Sequence, residues 1–168
     1  MSHHVDGKRP VTVLAGPYGH PFHPILVTVP IGAWVSAFVF DIASRLSDDP
    51  AAFARGAYWL IGIGVVGALV AAMFGFLDLL AIPTGTRAFR TALVHMALNL
   101  CVVVIFAVAF LLRGDHLDGS DGTPAGLIAL SAVALALLGL SGWLGGRLTY
   151  RFGVRVVDET TQAHQTRN

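Results

Sequence analysis

Apolar residues gather in four long blocks separated by short polar stretches. The blocks run from about Ile25 to Ser44, Gly56 to Ile82, Phe89 to Leu112 and Pro124 to Tyr150. Crossing a bilayer takes about 20 residues at the helical rise, so each block is long enough to span one. A lone hydrophobic strand would leave its backbone groups unpaired in lipid, so the blocks are expected to be helices. Pro24 suits a first helical turn, where its missing N–H costs nothing. Pro30 lies deeper and is expected to kink the first span, freeing the carbonyl of Leu26. The connection "PTGTR" makes the second and third spans antiparallel neighbours.

The expected fold is therefore an all-α integral membrane protein, a four-helix transmembrane bundle over residues 24–150. Residues 1–23 form an amino-terminal arm and 151–168 a carboxy-terminal tail, disordered after Val157.

Composition agrees with the pattern. The 168 residues are 55% hydrophobic and 12% charged, with net charge +1, and mean hydropathy is +0.70. A soluble domain carries about a quarter charged residues. No basic stripe grips phosphates, so no nucleic acid partner is expected. The single cysteine, Cys101, has no CxxC or paired spacing, which argues against a zinc ribbon, an iron–sulfur cluster or covalent haem attachment. The first 24 residues are too polar for the core of a signal peptide, so the first span is expected to direct insertion.

Orientation follows from the basic residues. The arm, the second loop and the tail hold Lys8, Arg9, Arg87, Arg90, Arg147, Arg151, Arg155 and Arg167, whereas the first and third loops hold Arg45, Arg55 and Arg113. This imbalance, eight against three, places both termini in the cytoplasm.

Helices in lipid approach through small residues. Span two carries Gly64, Gly67, Ala68, Ala71 and Gly75 at three- and four-residue steps, with Asp78 one turn beyond, so Asp78 is expected to face the bundle. Gly139, Gly142 and Gly146 repeat the device on span four. Each mid-membrane ionisable group costs roughly 2.5–3.5 kcal/mol on insertion scales and so needs a partner or a task. His95 and Asn99 share a face of span three, and His20 and His23 stand at the mouth of span one. With Asp78 they form a polar cluster in the cytoplasmic half, ringed by Arg87, Arg90 and Arg147. Three helices are thus expected to turn their polar groups toward one inner-leaflet pocket.

Structural readings account for each group. Asp78 would pair with Arg87 or Arg90 across the turn, and His95 with Asn99 would be interhelical glue. His20 and His23 would cap the start of span one, and Asp41 would reach the outer interface or pair with Arg45. The functional reading makes His23 or His20, together with His95, an axial pair for haem b. Alternatively His20, His23, Asp78 and His95 would hold zinc or iron, or His95 and Asp78 would relay protons. The third loop, "RGDHLDGSDGTP", lacks the order of a calcium loop and reads as a solvated turn.

"GHPFHPILVTVPIGAW", "GFLDLLAIP", "RTALVHMALNL" and "GWLGGRLTYRFGVRV" together resemble a bacterial family of four-span membrane proteins catalogued as domain of unknown function 2231, over about residues 19 to 157. The resemblance implies the four-span fold, a bacterial inner-membrane location and the importance of His20, His23, Asp78, His95 and Asn99. Some relatives are fused to a Rieske-type iron–sulfur domain, which implies a membrane redox complex or Rieske-type partner. The leading expectation is a small redox or respiratory subunit, without independent catalysis, that binds haem b or a metal ion and exchanges electrons with a quinone or protein. The competing readings are a structural or assembly subunit and a small transporter or proton-coupled channel.

Overall fold

The computed structural model describes residues 7–117 and 121–165; Arg167, one of the basic residues that set the orientation, lies outside them. Four helices are long and apolar enough to cross a membrane: α1 (His23–Ala43), α2 (Pro50–Leu80), α3 (Arg87–Arg113) and α4 (Ala125–Tyr150). A short helix, α5 (Glu159–Gln165), follows in the tail. The regular pattern of α1 breaks at Val27, one turn ahead of Pro30, between His23–Leu26 and Thr28–Ala43. The break sits where the proline's missing donor weakens the ladder.

Caps explain where the helices begin. Asp49 accepts from the Ala52 N–H at 3.1 Å, with Pro50 in the first turn, and so starts α2 six residues before the apolar block. Thr86 does the same for α3 through the Phe89 N–H, at 3.1 Å. Residues 158–165 correct the expectation of disorder after Val157. Asp158 accepts from the Thr161 N–H at 2.9 Å and from two threonine hydroxyls, which nucleates α5. Hydrogen bonds from Thr160, the Thr161 N–H and Tyr18 hold the Asp158 carboxyl well below the usual carboxylate range.

The bundle is two tight pairs, α1 on α2 and α3 on α4, joined less closely across the middle. The α1–α2 contact uses the small-residue stripe. A Cβ on Gly64 would lie 2.3 Å from Trp34 Nε1, and one on Gly67 would lie 3.0 Å from Val29. Trp34 donates to the Ile61 carbonyl at 3.3 Å and stacks on Phe106 at 4.3 Å, which ties the two pairs together. Val102, Phe106, Ala134 and Ile61 complete that core. Gly64→Ala is expected to destabilise the protein by about 1–3 kcal/mol through overpacking, read as a lower unfolding midpoint in one detergent.

Span four departs from expectation. A Cβ on Gly139, Gly142 or Gly146 would meet nothing within 4 Å. The buried positions of α4 are instead Leu127, Ser131, Ala134, Ser141 and Leu148. That stripe fills the interface and turns the three glycines away from any close approach. Outward faces carry large apolar side chains, such as Val39, Ile63, Val66, Met73, Val104 and Val133, as a lipid-facing surface requires.

The end of the bundle away from the termini holds a buried ion pair. Arg113 Nη2 reaches Asp41 Oδ2 at 2.6 Å, with side-chain exposures of 3% and 0%. Thr123 donates to Asp41 Oδ1 at 3.0 Å, and Arg113 also reaches Ser131 and the Ala109 and Leu127 carbonyls. Asp41 therefore pairs neither with solvent nor with Arg45, which turns to the Asp121 carbonyl. The last residue of α3 lies within reach of α1, and a fixed guanidinium satisfies a buried carboxylate better than a flexible exposed one.

The arm and the tail pack together at the opposite end. Arg155 Nη2 donates to the carbonyls of Ala15 and Gly16, each at 3.0 Å, and its N–H donates to the Gly7 carbonyl. Tyr18 donates to Asp158 at 2.9 Å and accepts from the Asp158 N–H. Arg155 adopts φ 61, a left-handed conformation that costs an ordinary residue roughly 1–2 kcal/mol, and its three carbonyl contacts offset that strain.

Candidate functional site

The looser seam between the two helical pairs opens into a chamber of about 400 Å³. Cofactor sites run from roughly 300 to 1,000 Å³ and are mostly apolar with a few converging polar groups. Pro30, Trp34, Phe76, Met96, Val103 and Leu138 supply apolar wall. His23, Asp78, His95, Asn99 and Arg155 supply the polar groups.

Each helical pair contributes one imidazole and fixes it internally. His23, at the start of α1, places Nδ1 2.8 Å from the Ala71 carbonyl of α2. His95 of α3 places Nδ1 2.8 Å from the Ser141 carbonyl of α4. A carbonyl only accepts, so each Nδ1 carries a proton, and the neutral form of either ring has its lone pair on Nε2. The ring centroids are 6.4 Å apart, with planes at 90°. Glycines make room for both. A Cβ on Gly75 would lie 2.9 Å from the His23 ring, and one on Gly145 would lie 3.2 Å from His95 Cε1. Asn99 Nδ2 donates to His95 Nε2 at 3.0 Å. No protein hydrogen bond to His23 Nε2 occurs among the described residues.

Asp78 pairs with Arg155, Nε to Oδ1 at 2.9 Å, rather than with Arg87 or Arg90. The tail folds back over the chamber and delivers Arg155 at closer range than the helix-turn arginines. Four of the expected cluster residues therefore share the chamber: His23, Asp78, His95 and Asn99. His20 is exposed on the turn before α1 and does not line it. Arg87, Arg90 and Arg147 line a separate groove between α3 and α4. Among the described residues no three His, Cys, Asp or Glu side chains gather as a metal-binding set.

Arg155 and Ser141 are site residues that motif and spacing do not single out. Arg155 stands in an apolar segment after Gly153, which is the one signal that could have marked it as buried. Ser141 meets His95 Nδ1 with its carbonyl at 2.8 Å and its hydroxyl at 3.0 Å, and nothing in residue identity announces the carbonyl half of that contact.

A family model described as predicted membrane protein (DUF2231) matches residues 19–158, which takes in every helix of the bundle and the Arg155 segment. No curated protein and no solved structure matches the chain.

Proposed function

We propose that this chain, which belongs to the DUF2231 family of predicted membrane proteins, holds haem b between His23 and His95 as a small redox subunit of the bacterial inner membrane. One observation carries the reading. Two imidazoles from different helical pairs, 6.4 Å apart, each donate Nδ1–H to a backbone carbonyl. Ligating histidines are fixed in this way, because the second hydrogen bond sets the tautomer and orients Nε2.

The donor set suits a porphyrin better than a bare ion. Zinc or iron held by the protein alone takes three or four side chains. Here Asp78 is engaged by Arg155 and His20 stands outside the chamber. A haem would bring four nitrogens of its own, so that His23 and His95 would be enough to hold it. When bound, it would supply a one-electron couple tuned by the two imidazoles and the low polarity of the site. The residues' own tasks are plain. His23 and His95 present lone pairs, Ala71 and Ser141 hold their tautomers, and the apolar wall excludes water. Asn99 must release His95 Nε2 before ligation.

The arm and tail lie in the cytoplasm on this reading, supported by the eight-to-three distribution of basic residues. The electron partner would be a membrane quinone or a Rieske-type protein. The Asn99–His95 hydrogen bond favours a second reading, a structural subunit in which these groups only lock helices. The absorption spectrum of the detergent-purified protein separates the two. Haem binding gives a Soret band that shifts on dithionite reduction, whereas a colourless protein expressed with ample haem overturns the proposal.

A further inference from the structure

Arg87, Arg90 and Arg147 gather in a groove between the start of α3 and the end of α4 that the haem reading does not use. Its apolar lining is Val94, Leu144 and Phe152, and Val94 is exposed on the outer face of α3. Arg87 and Arg90 are exposed, and Arg147 is half-buried. Two ion pairs occur among the described residues, Arg113–Asp41 and Arg155–Asp78, and neither involves these three arginines. Arg147 is held in place by rings, 4.9 Å over Trp143 and 6.0 Å from Phe152, and its buried Nε has no hydrogen-bond partner.

Three unneutralised guanidinium groups at one helix seam carry a mutual repulsion that an anion would relieve. The place where they stand limits the anion. The groove lies between the start of α3 and the end of α4, with Trp143, 59% exposed, under Arg147 and Tyr150, 91% exposed, closing α4; both are residue types that mark the headgroup level. A soluble anion has no use for the apolar floor, but an acyl chain does. Basic pockets between spans on the cytoplasmic side are suited to acidic phospholipid headgroups.

We propose that this groove is a binding site for an anionic phospholipid, with the phosphate on Arg87, Arg90 and Arg147 and an acyl chain along Val94 and Leu144. The test titrates delipidated full-length protein in neutral detergent with cardiolipin, phosphatidylcholine or inorganic phosphate and reads bound ligand by native mass spectrometry. Each arginine near the surface contributes roughly fivefold in affinity, so Arg87→Gln/Arg90→Gln is expected to weaken cardiolipin binding about 25-fold. Both side chains are exposed, so the double variant is expected to fold. Arg151→Gln, exposed but outside the groove, is expected to leave binding unchanged. Any of three results would overturn the site: equal affinity for phosphatidylcholine, phosphate binding as tight as cardiolipin, or the same loss from Arg151→Gln as from the groove variant.

Discussion

His95→Ala is expected to yield a protein that folds, inserts and carries no haem. The substitution removes one of the two imidazoles that would hold the haem and leaves the Ser141 carbonyl and the Asn99 amide without their partner. Interhelical hydrogen bonds in membranes are worth about 0.6–2 kcal/mol, which leaves a four-span bundle assembled. His23→Ala, on the other helical pair, is expected to match it. The readout is pigment per mole of protein together with the unfolding midpoint. A structural role predicts a small loss of stability and no link to colour. Haem ligation predicts loss of colour from both variants, although the two rings are fastened to different helices. Gly145 and Gly75, which leave space beside the rings, need no change for this test.

Asp41→Asn is expected to have the largest effect on stability. It neutralises a carboxylate with no exposed surface and strands the Arg113 guanidinium among α1, α3 and α4. Breaking one partner of a buried pair costs about 3–5 kcal/mol, because the remaining charge stays desolvated. Thr123 and Ser131 do not relieve that cost, since hydroxyls cannot balance a guanidinium charge. Replacing both partners, as in Asp41→Leu with Arg113→Met, is expected to recover most of the loss, since a well-packed apolar pair often substitutes at little cost. Denaturation in a single detergent, followed by helical circular dichroism, measures both variants. Equal stability of wild type and Asp41→Asn would mean that water reaches this end of the bundle.

The spans were legible because lipid imposes a blunt rule: about 20 apolar residues in a row have only one way to satisfy their backbone. The boundaries were less so. Asp49 and Pro50 start α2 before hydrophobicity begins, a capping effect that a count of apolar residues misses. Shared placement of His23, Asp78, His95 and Asn99 followed from helical spacing and the common end of the spans. Pairing did not. Asp78 and Asp41 each chose an arginine more than 70 residues away in sequence, 77 for Asp78 (155 − 78) and 72 for Asp41 (113 − 41). The nearer candidates Arg87, Arg90 and Arg45 were passed over. Such choices depend on how pairs of helices pack and on where a tail folds back, and no local spacing encodes either. The glycines of α4 make the same point: Gly139, Gly142 and Gly146 have the spacing of an interface, yet Ser141 and Gly145 on the neighbouring face meet His95.

That two helical pairs meet through one imidazole each, at a common centre, is tested most directly by electron paramagnetic resonance of the oxidised, haem-supplied protein. A six-coordinate low-spin signal is predicted for wild type, with its loss or conversion to high spin in both His23→Ala and His95→Ala. A low-spin signal that survives in either variant, or no iron signal in the wild type, would contradict it.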